Sequence, residues 1–434
     1  MKYLDWQLMN RKVKSKILPK LRFPEFIGAD GWYETELGQC LIQHPDYGVN
    51  APAVPYDTDL PTYLRITDIS EEGRFLADQK MSVDEKKVTN DSYLEEGDIV
   101  LARTGASVGK SYKYRIEDGK LVFAGFLIRI RPDPRKLNSE LLAQFLNTSH
   151  YWHWVNFTST RSGQPGINGN EYSSMPLLLP STLKEQQKIA DCLSSLDDLI
   201  AAQSQKIEVL KELKKGLMRQ LFPAKGQTVP RLRFKDFTED WTMYKLSDIA
   251  TFSSGGTPSK EVADYWNGDI PWISAASMYT TKISKSDSNI TRKAIEDGAR
   301  VARKGALLIL VRGSMLFNRI PMGIATRDVA FNQDVKALDL NDIVENHFLL
   351  HQLGSKESQI LNAVTETGIG AGKIDTGHLK EITIYIPSKR EQQKITDCLS
   401  SLDDFITTQS EKLDSLKSHK KGLMQQLFPQ EKTQ

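Results

Sequence analysis

Two stretches of the chain place their seam residues at alternating spacings of four and three. This spacing is the a/d repeat of a coiled coil, and it predicts one long helix in each stretch. In residues 185–223 the seam reads Ile189, Leu193, Leu196, Ile200, Gln203, Ile207, Leu210, Lys214, Leu217 and Leu221. In residues 391–429 it reads Ile395, Leu399, Leu402, Ile406, Gln409, Leu413, Leu416, Lys420, Leu423 and Leu427. We expect the aliphatic members of each seam to pack against a partner helix.

The two stretches are copies of each other, because 28 of their 39 aligned positions are identical. A second repeat precedes each large segment, with PKLRFPEF before Trp32 and PRLRFKDF before Trp241. Such self-similarity indicates a duplicated architecture. The chain therefore divides into a basic N-terminal tail (1–20), a first domain (21–180), a central helix (181–229), a second domain (230–387) and a C-terminal helix (388–434).

Both predicted helices carry start and stop signals. Thr182 with Glu185, and Ser388 with Glu391, stand at capping-box spacing. A proline ends each repeated stretch, where it cannot continue a helix.

The charges in the two seams favour antiparallel packing. A parallel pair would bury Lys214 against Lys420, whereas an antiparallel pair brings Lys420 to Leu196, Asp197 and Asp198. The alternative is that each helix packs only on its own domain, but the narrow seam and its shared polar positions favour a helix pair.

The two large segments have the pattern of mixed α/β domains. Apolar runs at 98–102, 126–130 and 307–311 are typical of strands, and 139–147 and 346–353 are typical of short helices. The domains share few identical residues, so we expect one architecture with two different surfaces. The predicted fold is two similar α/β domains separated by a long antiparallel two-helix coiled coil, with pseudo-two-fold symmetry.

Composition is that of an ordinary soluble globular protein, with 57 basic and 55 acidic residues among 434. The three cysteines, Cys40, Cys192 and Cys398, form no CxxC pair, which argues against a disulfide framework or a cysteine zinc site. The N-terminus lacks the apolar core of a secretory signal and no membrane span is predicted, so we expect a cytoplasmic protein. Neither domain has the strongly basic balance that by itself indicates a nucleic-acid partner.

The sequence offers no convincing catalytic or metal site. Residues 105–111, GASVGKS, fall one residue short of a P-loop, and the corresponding place in the second domain has no Gly-Lys-Ser. Two histidine pairs have helical spacing but no obvious carboxylate partner, so we interpret them as structural; they are His150 with His153 and His347 with His351.

Each domain carries an arginine on a glycine-containing loop directly after a predicted strand. The residues are Arg103 and Arg312. Such a side chain suits a phosphate oxygen or a base edge, and a solvated surface turn is an equal alternative on these residues alone. Further loops rich in glycine, serine and threonine precede each long helix, at 160–168 and 365–374.

Taken in order, these motifs resemble the specificity (S) subunits of type I restriction-modification enzymes. The motifs are LRFPEF and LRFKDF with their tryptophans, GDIVLARTGASVG at 97–109, GGTP at 255–258 running to YWNGDIPW at 265–272, FNQD at 331–334, and the two EQQKI helices. The resemblance covers nearly the whole chain after the tail.

The resemblance implies a non-catalytic DNA-recognition subunit of a prokaryotic, cytoplasmic complex. Each large domain would be a target recognition domain that reads one half of a bipartite site on double-stranded DNA. The helices would set the spacing and dock two DNA methyltransferase subunits, and restriction subunits would join the complex. No cofactor is implied for this chain, because S-adenosylmethionine, ATP and Mg are expected on the partner subunits.

The residues expected to contact DNA lie on or beside these loops. In the first domain they are Arg65, Arg103, Thr104, Ser107, Lys110, Arg161, Ser162, Gln164 and Asn168. In the second domain they are Ser254, Thr257, Ser274, Arg312, Ser314, Asn318, Arg319 and Lys373. Two other hypotheses compete with this one. A nuclease with fused recognition domains would need a metal-binding carboxylate set, and a coiled-coil scaffold that binds only protein would leave the glycine-arginine loops unexplained.

Overall fold

A computed structural model describes residues 17–160, 163–224, 226–367 and 370–429. The chain divides into two compact units. Unit 1 consists of Met1–Gln203 with Lys412–Gln434, and unit 2 consists of Ser204–Glu411. Each unit therefore contains one large domain together with a part of each long helix.

The large domain of unit 1 is built on short strands in three sheets. The strands are β1 (Tyr33–Glu36), β2 (Asp46–Tyr47), β3 (Val54–Pro55), β4 (Thr62–Leu64), β5 (Met81–Ser82), β6 (Ile99–Ala102), β7 (Ser111–Lys113), β8 (Leu121–Phe123), β9 (Leu127–Ile130) and β10 (Pro176–Leu179). The sheet orders are β1-β10, β2-β9-β6-β7 and β3-β5-β4-β8. The predicted strands β6 and β9 are buried along their whole length, which explains the continuous apolar run of β6; in β9 the buried Arg129 interrupts it.

Short helices complete this domain. The α-helices are Ser139–Phe145, Ser149–Ser159 and Gly169–Ser173, and the 3-10 helices are Pro24–Phe26, Leu37–Cys40, Ile66–Asp68, Ala77–Gln79, Glu85–Lys87, Asn90–Ser92, Gly105–Ser107 and Ile116–Asp118. The main core joins sheet, short helices and long helices, since Ile128, Leu141, Leu193 and Phe428 all belong to it.

The large domain of unit 2 repeats the plan. Its strands are β11 (Thr242–Lys245), β12 (Ala250–Ser254), β13 (Trp266–Ile273), β14 (Lys282–Ile283), β15 (Asn289–Ile290), β16 (Val301–Ala302), β17 (Leu307–Leu310), β18 (Arg312–Gly313), β19 (Met322–Ala325), β20 (Val329–Phe331), β21 (Val335–Leu340), β22 (Thr365–Glu366), β23 (Gly372–Lys373) and β24 (Thr383–Ile386). The sheet orders are β11-β24, β12-β21-β17-β19-β14, β15-β13-β20-β16 and β18-β23-β22.

Helices in this second domain are again short. The α-helices are Leu246–Ile249, Arg292–Glu296, Asn346–Ser355, Glu357–Leu361 and Thr376–Lys380, and the 3-10 helices are Ala263–Tyr265, Ala275–Ser277 and Ser314–Phe317. The mixed α/β class predicted from the sequence is confirmed in both domains.

The two repeated stretches form the predicted long helices, Leu183–Leu221 and Lys389–Leu427. At their starts, Glu185 N donates to Thr182 Oγ1 (3.2 Å) and Glu391 N donates to Ser388 Oγ (3.4 Å). These bonds are one half of the predicted capping boxes. The glutamate carboxylates themselves are bonded to arginines of the LRF motifs.

Within unit 1 the parts of the two long helices pack antiparallel. Lys420 Nζ lies 2.7 Å from Asp197 Oδ1, while Leu427, later in the second helix, packs in one core with Leu193, earlier in the first. The predicted approach of Lys420 to Asp197 is confirmed, and it keeps the seam lysine neutralised.

Unit 2 has the same arrangement with the helices exchanged. Lys214 Nζ lies 2.5 Å from Asp403 Oδ1, and Leu221 shares a core with Leu399. The antiparallel pair is therefore built twice from one repeated sequence.

The repeated EQQ and LFP motifs fasten the long helices to the domains. In unit 1, Glu185 binds Arg22 through two bonds of 2.8 and 2.7 Å, and Phe428 packs edge-on against Trp32. Gln186 accepts a bond from Asn138 N (2.9 Å) and donates to a neighbouring carbonyl. The helix seam and packing on the domain therefore coexist, although they were considered as alternatives from the sequence.

The equivalent anchors are present in unit 2. Glu391 binds Arg233 through two bonds of 2.8 and 2.9 Å, and Phe222 packs edge-on against Trp241. Gln392 accepts a bond from Glu345 N (2.8 Å). Identity between the helices is thus high at both ends because each end carries side chains that hold a domain.

The last residues of the predicted N-terminal tail (1–20) belong to the first domain. Residues 1–16 lie outside the described residues, but Ile17 pairs with Trp32, whose N–H donates to Ile17 O (2.8 Å). This pairing makes Ile17 part of the first domain.

Candidate nucleic-acid interface

In the large domain of unit 1, several connections lie at one end of the sheet β2-β9-β6-β7. Neighbouring strands in this sheet are antiparallel, so the ends of β2 and β6 and the starts of β9 and β7 lie at the same edge. We call this edge loop edge 1, and it comprises residues 47–50, 103–110, 124–126 and 164–167.

Backbone bonds hold loop edge 1 together. Arg103 N donates to Phe126 O (3.1 Å), and Ile167 N donates to Arg103 O (2.9 Å). The guanidinium of Arg103 lies 4.8 Å from the centre of the Tyr47 ring, a cation–π contact at the surface. Arg103 is therefore oriented by an aromatic ring, and among the described residues it forms no ion pair.

The large domain of unit 2 has the same edge on the sheet β12-β21-β17-β19. These strands are also antiparallel to their neighbours, so the end of β12, the start of β21, the end of β17 and the start of β19 lie together. We call this edge loop edge 2, and it comprises residues 254–257, 311–321, 332–334 and 372–374.

Loop edge 2 places two cations opposite each other. Arg312 and Lys373 are partners in the antiparallel pair β18–β23, and both are exposed. Residues opposite each other on antiparallel strands share a face, and like charges there repel. Among the described residues neither cation forms an ion pair, so an anionic ligand would relieve this repulsion.

The hydrogen bonds fix which residues correspond in the two loop edges. Arg103 and Val311 occupy the same place, because their backbones make the same two bonds. The carbonyl of each accepts from an isoleucine N–H, that of Ile167 or Ile374. The N–H of each donates to the carbonyl just before the neighbouring strand, that of Phe126 or Asp334. Arg312 corresponds to Thr104, since both lie opposite the residue before that isoleucine. The match of Arg103 with Arg312 made from the sequence is thus off by one, because one residue separates arginine from glycine in the first domain and none in the second.

One glycine in each domain lets two backbone segments pass closely. A Cβ on Gly48 would lie 2.2 Å from Phe123 O, and a Cβ on Gly255 would lie 1.9 Å from Phe331 O. No side chain fits at these distances without displacing the loop. The same contact in both domains shows that the two loop edges share one framework.

Five of the nine predicted DNA-contacting residues of the first domain lie on loop edge 1. They are Arg103, Thr104, Ser107, Lys110 and Gln164. Lys110 is paired with Glu71. Arg161 and Ser162 lie outside the described residues.

The other two candidates of the first domain are already bonded. Arg65, just beside the edge after β4, binds the buried Asp68 through bonds of 2.9 and 2.6 Å, which raise the pKa of Arg65 above its usual value. Asn168 Oδ1 accepts from Glu171 N (2.9 Å) and caps the helix Gly169–Ser173. These bonds make both side chains part of the local fold.

Most candidates of the second domain lie on loop edge 2. They are Ser254, Thr257, Arg312, Ser314, Asn318, Arg319 and Lys373, and Ser274 lies beside them after β13. Thr257 Oγ1 donates to Gln333 Oε1 (2.9 Å), and Ser254 is bonded to Lys336. Arg319 Nη2 donates to a backbone carbonyl (3.2 Å), which ties it to the loop.

Four further residues of these edges were missed from the sequence. They are Tyr47, Phe126, Gln333 and Asp334. Phe126 was assigned to a strand, but β9 starts at Leu127 and Phe126 is 62% exposed. The signal for the second pair was the FNQD motif at 331–334, which was noted without a role.

The histidine pairs do not form metal sites. Among the described residues, no group of three or more His, Cys, Asp or Glu side chains could hold a metal ion. His347 does have a carboxylate partner, contrary to the sequence reading, because its Nδ1 lies 3.2 Å from Glu345 Oε1. Burial lowers the pKa of His351 to about 3, so this histidine is neutral at pH 7.

Within the described ranges, no helix combines the length and the apolar character needed to cross a bilayer.

Comparisons with known proteins point to one family. The relatives include the EcoR124I/EcoR124II specificity subunit of Escherichia coli, 32% identical over 184 residues, which are 42% of this chain and 45% of that protein. The MjaIX specificity subunit of Methanocaldococcus jannaschii is 34% identical over 176 residues, 39% of each chain. The chain thus matches under half the length of these two curated relatives. The MjaVIII specificity subunit of the same organism is 22% identical over 397 residues, 87% of this chain and 88% of that one.

Solved structures share the fold. The crystal structure of a type I restriction-modification S subunit from M. genitalium is 16% identical, with a TM-score of 0.59, and the match covers 96% of this chain and 100% of that one. A structure from a study of type I R-M complex assembly gives 15% identity and a TM-score of 0.55, covering 91% and 96%. The family model described as "Type I restriction modification DNA specificity domain" matches residues 55–212 and 238–418. Two copies of this model cover most of the chain, which therefore belongs to the type I restriction-modification DNA specificity family.

Proposed function

We propose that this chain is the DNA sequence-recognition subunit of a type I restriction-modification complex. Each large domain reads one half of a bipartite site on double-stranded DNA, using its loop edge. The observation that carries the proposal is that the two loop edges share one backbone framework and differ in their side chains. A reader of two unlike half-sites needs this combination.

The charges of the loop edges suit the proposed ligand. Arg103 on one edge, and Arg312 with Lys373 on the other, form no ion pair among the described residues. Arginine and lysine at such places bind phosphate oxygens or guanine edges, while the neighbouring polar side chains read other bases. The overall charge of +2 need not be strongly basic, because the contacts are local.

The long helices set the spacing between the half-sites and dock two DNA methyltransferase subunits. Large apolar side chains remain exposed on them outside the seam, which supports a docking role; they are Leu199 (55%), Val209 (61%), Leu213 (51%) and Phe405 (43%). Restriction subunits join the same complex. S-adenosylmethionine, ATP and Mg are held by these partners, the chain itself is non-catalytic, and the complex works in the prokaryotic cytoplasm, where its DNA lies.

The comparisons give no support to the alternative of a nuclease with fused recognition domains, because the relatives are specificity subunits. A scaffold that binds only protein is the second alternative. It predicts no salt-dependent retention of duplex DNA, whereas a chain making several phosphate contacts loses affinity steeply as salt rises.

The test is to express the full chain with its methyltransferase and to read the methylated sites by sequencing. We expect a bipartite motif with an unspecified gap. Replacing residues 21–180 with the equivalent domain of a relative should change one half of the motif and leave the other half intact. A single continuous motif, or a change in both halves, would contradict the proposal.

A second test addresses the spacing. Seven residues added to both helices, between Ile200 and Leu210 and between Ile406 and Leu416, keep the seam in phase and lengthen each helix by about 10 Å. We expect both half-motifs to persist and the gap to widen by roughly three base pairs at 3.4 Å each. Adding two or three residues instead rotates the seam and should prevent assembly. An unchanged gap in the in-phase variant would refute the spacing role.

A further inference from the structure

One backbone position carries opposite chemistry in the two loop edges. It is occupied by Phe126 in loop edge 1 and by Asp334 in loop edge 2. Each residue sits in a tight turn directly before a strand, β9 or β21. Its carbonyl accepts a bond from the residue that follows the neighbouring strand, β6 or β17, at 3.1 Å for Phe126 and 2.7 Å for Asp334.

The turns that hold this position match in detail. Leu127 N donates to Ala124 O (2.8 Å), and Val335 N donates to Asn332 O (3.3 Å). The first residue of each turn also donates its N–H to the last residue of a neighbouring parallel strand. Ala124 N donates to Leu64 O of β4 (3.0 Å), and Asn332 N donates to Ile273 O of β13 (2.9 Å). The backbone at this position is therefore rigid and equivalent, and only the side chain changes.

Phe126 is a large apolar residue in an exposed turn. Its side chain is 62% exposed while its carbonyl accepts the bond from Arg103 N, so the ring contributes little to the core. Tyr47 on the same loop edge is 46% exposed, so two aromatic rings are exposed there together, which is more typical of a contact surface than a single exposed ring. In the major groove, the apolar feature that a phenylalanine can contact is the thymine methyl group.

Asp334 is unusual for the opposite reason. A carboxylate on a DNA-facing edge is repelled by phosphates, so it does not serve as a backbone contact. Its position is fixed, because Asn332 Nδ2 donates to its Oδ2 (3.1 Å) and its own N–H donates to Asn332 Oδ1 (3.1 Å). In the major groove, aspartate accepts a bond from the N4 amino group of cytosine.

We propose that this single position determines base identity in both half-sites. Phe126 selects thymine by apolar contact with its methyl group, and Asp334 selects cytosine by accepting from its amino group. The inference rests on the proposed function, since it names which residues of the loop edges read bases.

The experiment is selection from a randomised duplex DNA library by the full chain with its methyltransferase, comparing wild type with F126A and D334A. F126A should lower the preference for thymine at one position of one half-site several-fold, and D334A should do the same for cytosine in the other half-site. The remaining positions of each half-site should be unchanged.

Matched controls lie at the opposite ends of the same sheets. Ile116 is 65% exposed beyond the far end of β7, and Asp342 is exposed beyond the far end of β21. I116A and D342A remove the same groups away from the loop edges and should leave the selected motif intact. Unchanged thermal midpoints confirm folding, and F126S and D334L serve as second variants if the first ones fold poorly.

The outcomes separate the two proposals. If wild type selects no bipartite motif, the proposed function fails and this inference fails with it. If wild type selects a bipartite motif and both variants keep every base preference, or lose affinity equally for all sequences, only this inference is overturned. Changes that fall in one and the same half-site for both variants would overturn it as well.

Discussion

The two large domains each contain a sheet of the same strand order, but the side chains buried on the two sheets differ. Domain 1 encloses Arg129, which is 2% exposed, and Asp98, which is 1% exposed. The corresponding positions in domain 2, given by the pairing of β6 with β9 and of β17 with β21, are Ala337 and Ala306. One framework is therefore stabilised by charges in one copy and by small apolar side chains in the other.

The buried charges of domain 1 form a connected network. Arg129 binds Asp46 through bonds of 3.1 and 2.6 Å and donates to Tyr93 O (3.0 Å). Asp98 binds Arg131 through bonds of 2.8 and 3.2 Å and lies 3.5 Å from Arg129. Every charge has a partner, which offsets the cost of removing it from water.

The comparison teaches that the framework does not require the network. Domain 2 keeps the same strand order at its centre with alanines in place of the central pair. A buried ion pair is therefore weak evidence for greater stability, although removing one of its partners is costly. The first prediction uses this asymmetry.

The largest effect is expected for D98A. The substitution removes the carboxylate that binds Arg131 and that lies 3.5 Å from the buried Arg129. We expect the free energy of unfolding to fall by about 3–5 kcal/mol, measured by urea unfolding of the full chain. D78A, which removes an exposed carboxylate of the same domain, should change it by less than about 0.5 kcal/mol.

The triple variant D46S/D98A/R129A sharpens the comparison. It gives domain 1 the residues of domain 2 at these places, because Ser253 corresponds to Asp46. The buried Arg129 and Asp98 are then both absent, and Arg131 keeps Glu95 at 3.4 Å, so the cost should be smaller than the sum of the three single substitutions. Additive costs would mean that the side chains act independently and that the network reading is wrong.

The helix anchors give the second prediction. Trp32 Nε1 donates to Glu185 Oε1 (3.4 Å), whereas Trp241 Nε1 is buried and has no partner among the described residues. E185A therefore removes the acceptor of both Arg22 and Trp32, whereas E391A removes the acceptor of Arg233 alone. We expect E185A to lower the free energy of unfolding by about 2–4 kcal/mol, and E391A by about 1 kcal/mol less.

Glutamine at the same positions is the matched control for the anchors. E185Q and E391Q keep an oxygen that accepts from the arginine, so both should cost less than the alanine variants. Equal losses for E185A and E391A would show that the tryptophan bond does not contribute.

The third prediction compares the two loop edges as DNA contacts. R103A and R312A should each weaken binding of the specific duplex by about 1–3 kcal/mol if the guanidinium reads a base. If it holds a phosphate, the slope of log affinity against log salt should fall by about one unit instead. Titration of a labelled duplex at several salt concentrations measures both quantities.

Loss of Arg312 should have a second consequence that loss of Arg103 lacks. Because Arg312 faces Lys373, R312A removes a like-charge contact and should leave folding stability unchanged or slightly higher. R103A loses its contact with Tyr47 and should cost up to about 1 kcal/mol. Unchanged affinity and salt dependence in a folded double variant would return both arginines to the role of solvated turn residues.

The sequence predicted the long helices and their direction because these depend on a strict repeat. The spacing of the seam and the two lysines at 214 and 420 are local properties of a repeated segment. The loop edges depend on strand pairing between distant residues, which no periodicity reports. This is why Phe126 was assigned to a strand, and why Arg65 and Asn168 were expected to contact DNA although they bind Asp68 and the backbone of a helix.

The fourth and smallest effect concerns the helix caps that contact the glutamines of the EQQ motifs. Asn138 in domain 1 and Glu345 in domain 2 occupy the same place, since the N–H of each donates to Gln186 or Gln392. Each side chain also caps a helix, accepting from Leu141 N (2.9 Å) or from Phe348 N (2.7 Å). The first cap is neutral and the second is a carboxylate.

The carboxylate cap makes domain 2 sensitive to acid. Burial raises the pKa of Glu345, but bonds from His347 and from the backbone outweigh it and lower the pKa to about 2, against an ordinary 4.5. Because the pKa is lower in the folded state, the ionised cap stabilises the fold above about pH 4.5, and this contribution is lost as the pH falls towards 2. The pKa of His347 is raised in the folded state, so its contribution to stability has the opposite pH dependence. That contribution is present below pH 6.5 and is lost as the pH rises through the folded pKa.

Exchanging the caps tests this difference. E345N should cost about 1 kcal/mol at pH 7, and the gap between variant and wild type should shrink as the pH falls from 5 to 3. The reciprocal N138D should give domain 1 a new loss of stability over the same range, because its cap then titrates. Both are read from the free energy of unfolding in urea at each pH. If the two variants follow the wild-type pH dependence, the cap carboxylate does not control acid stability.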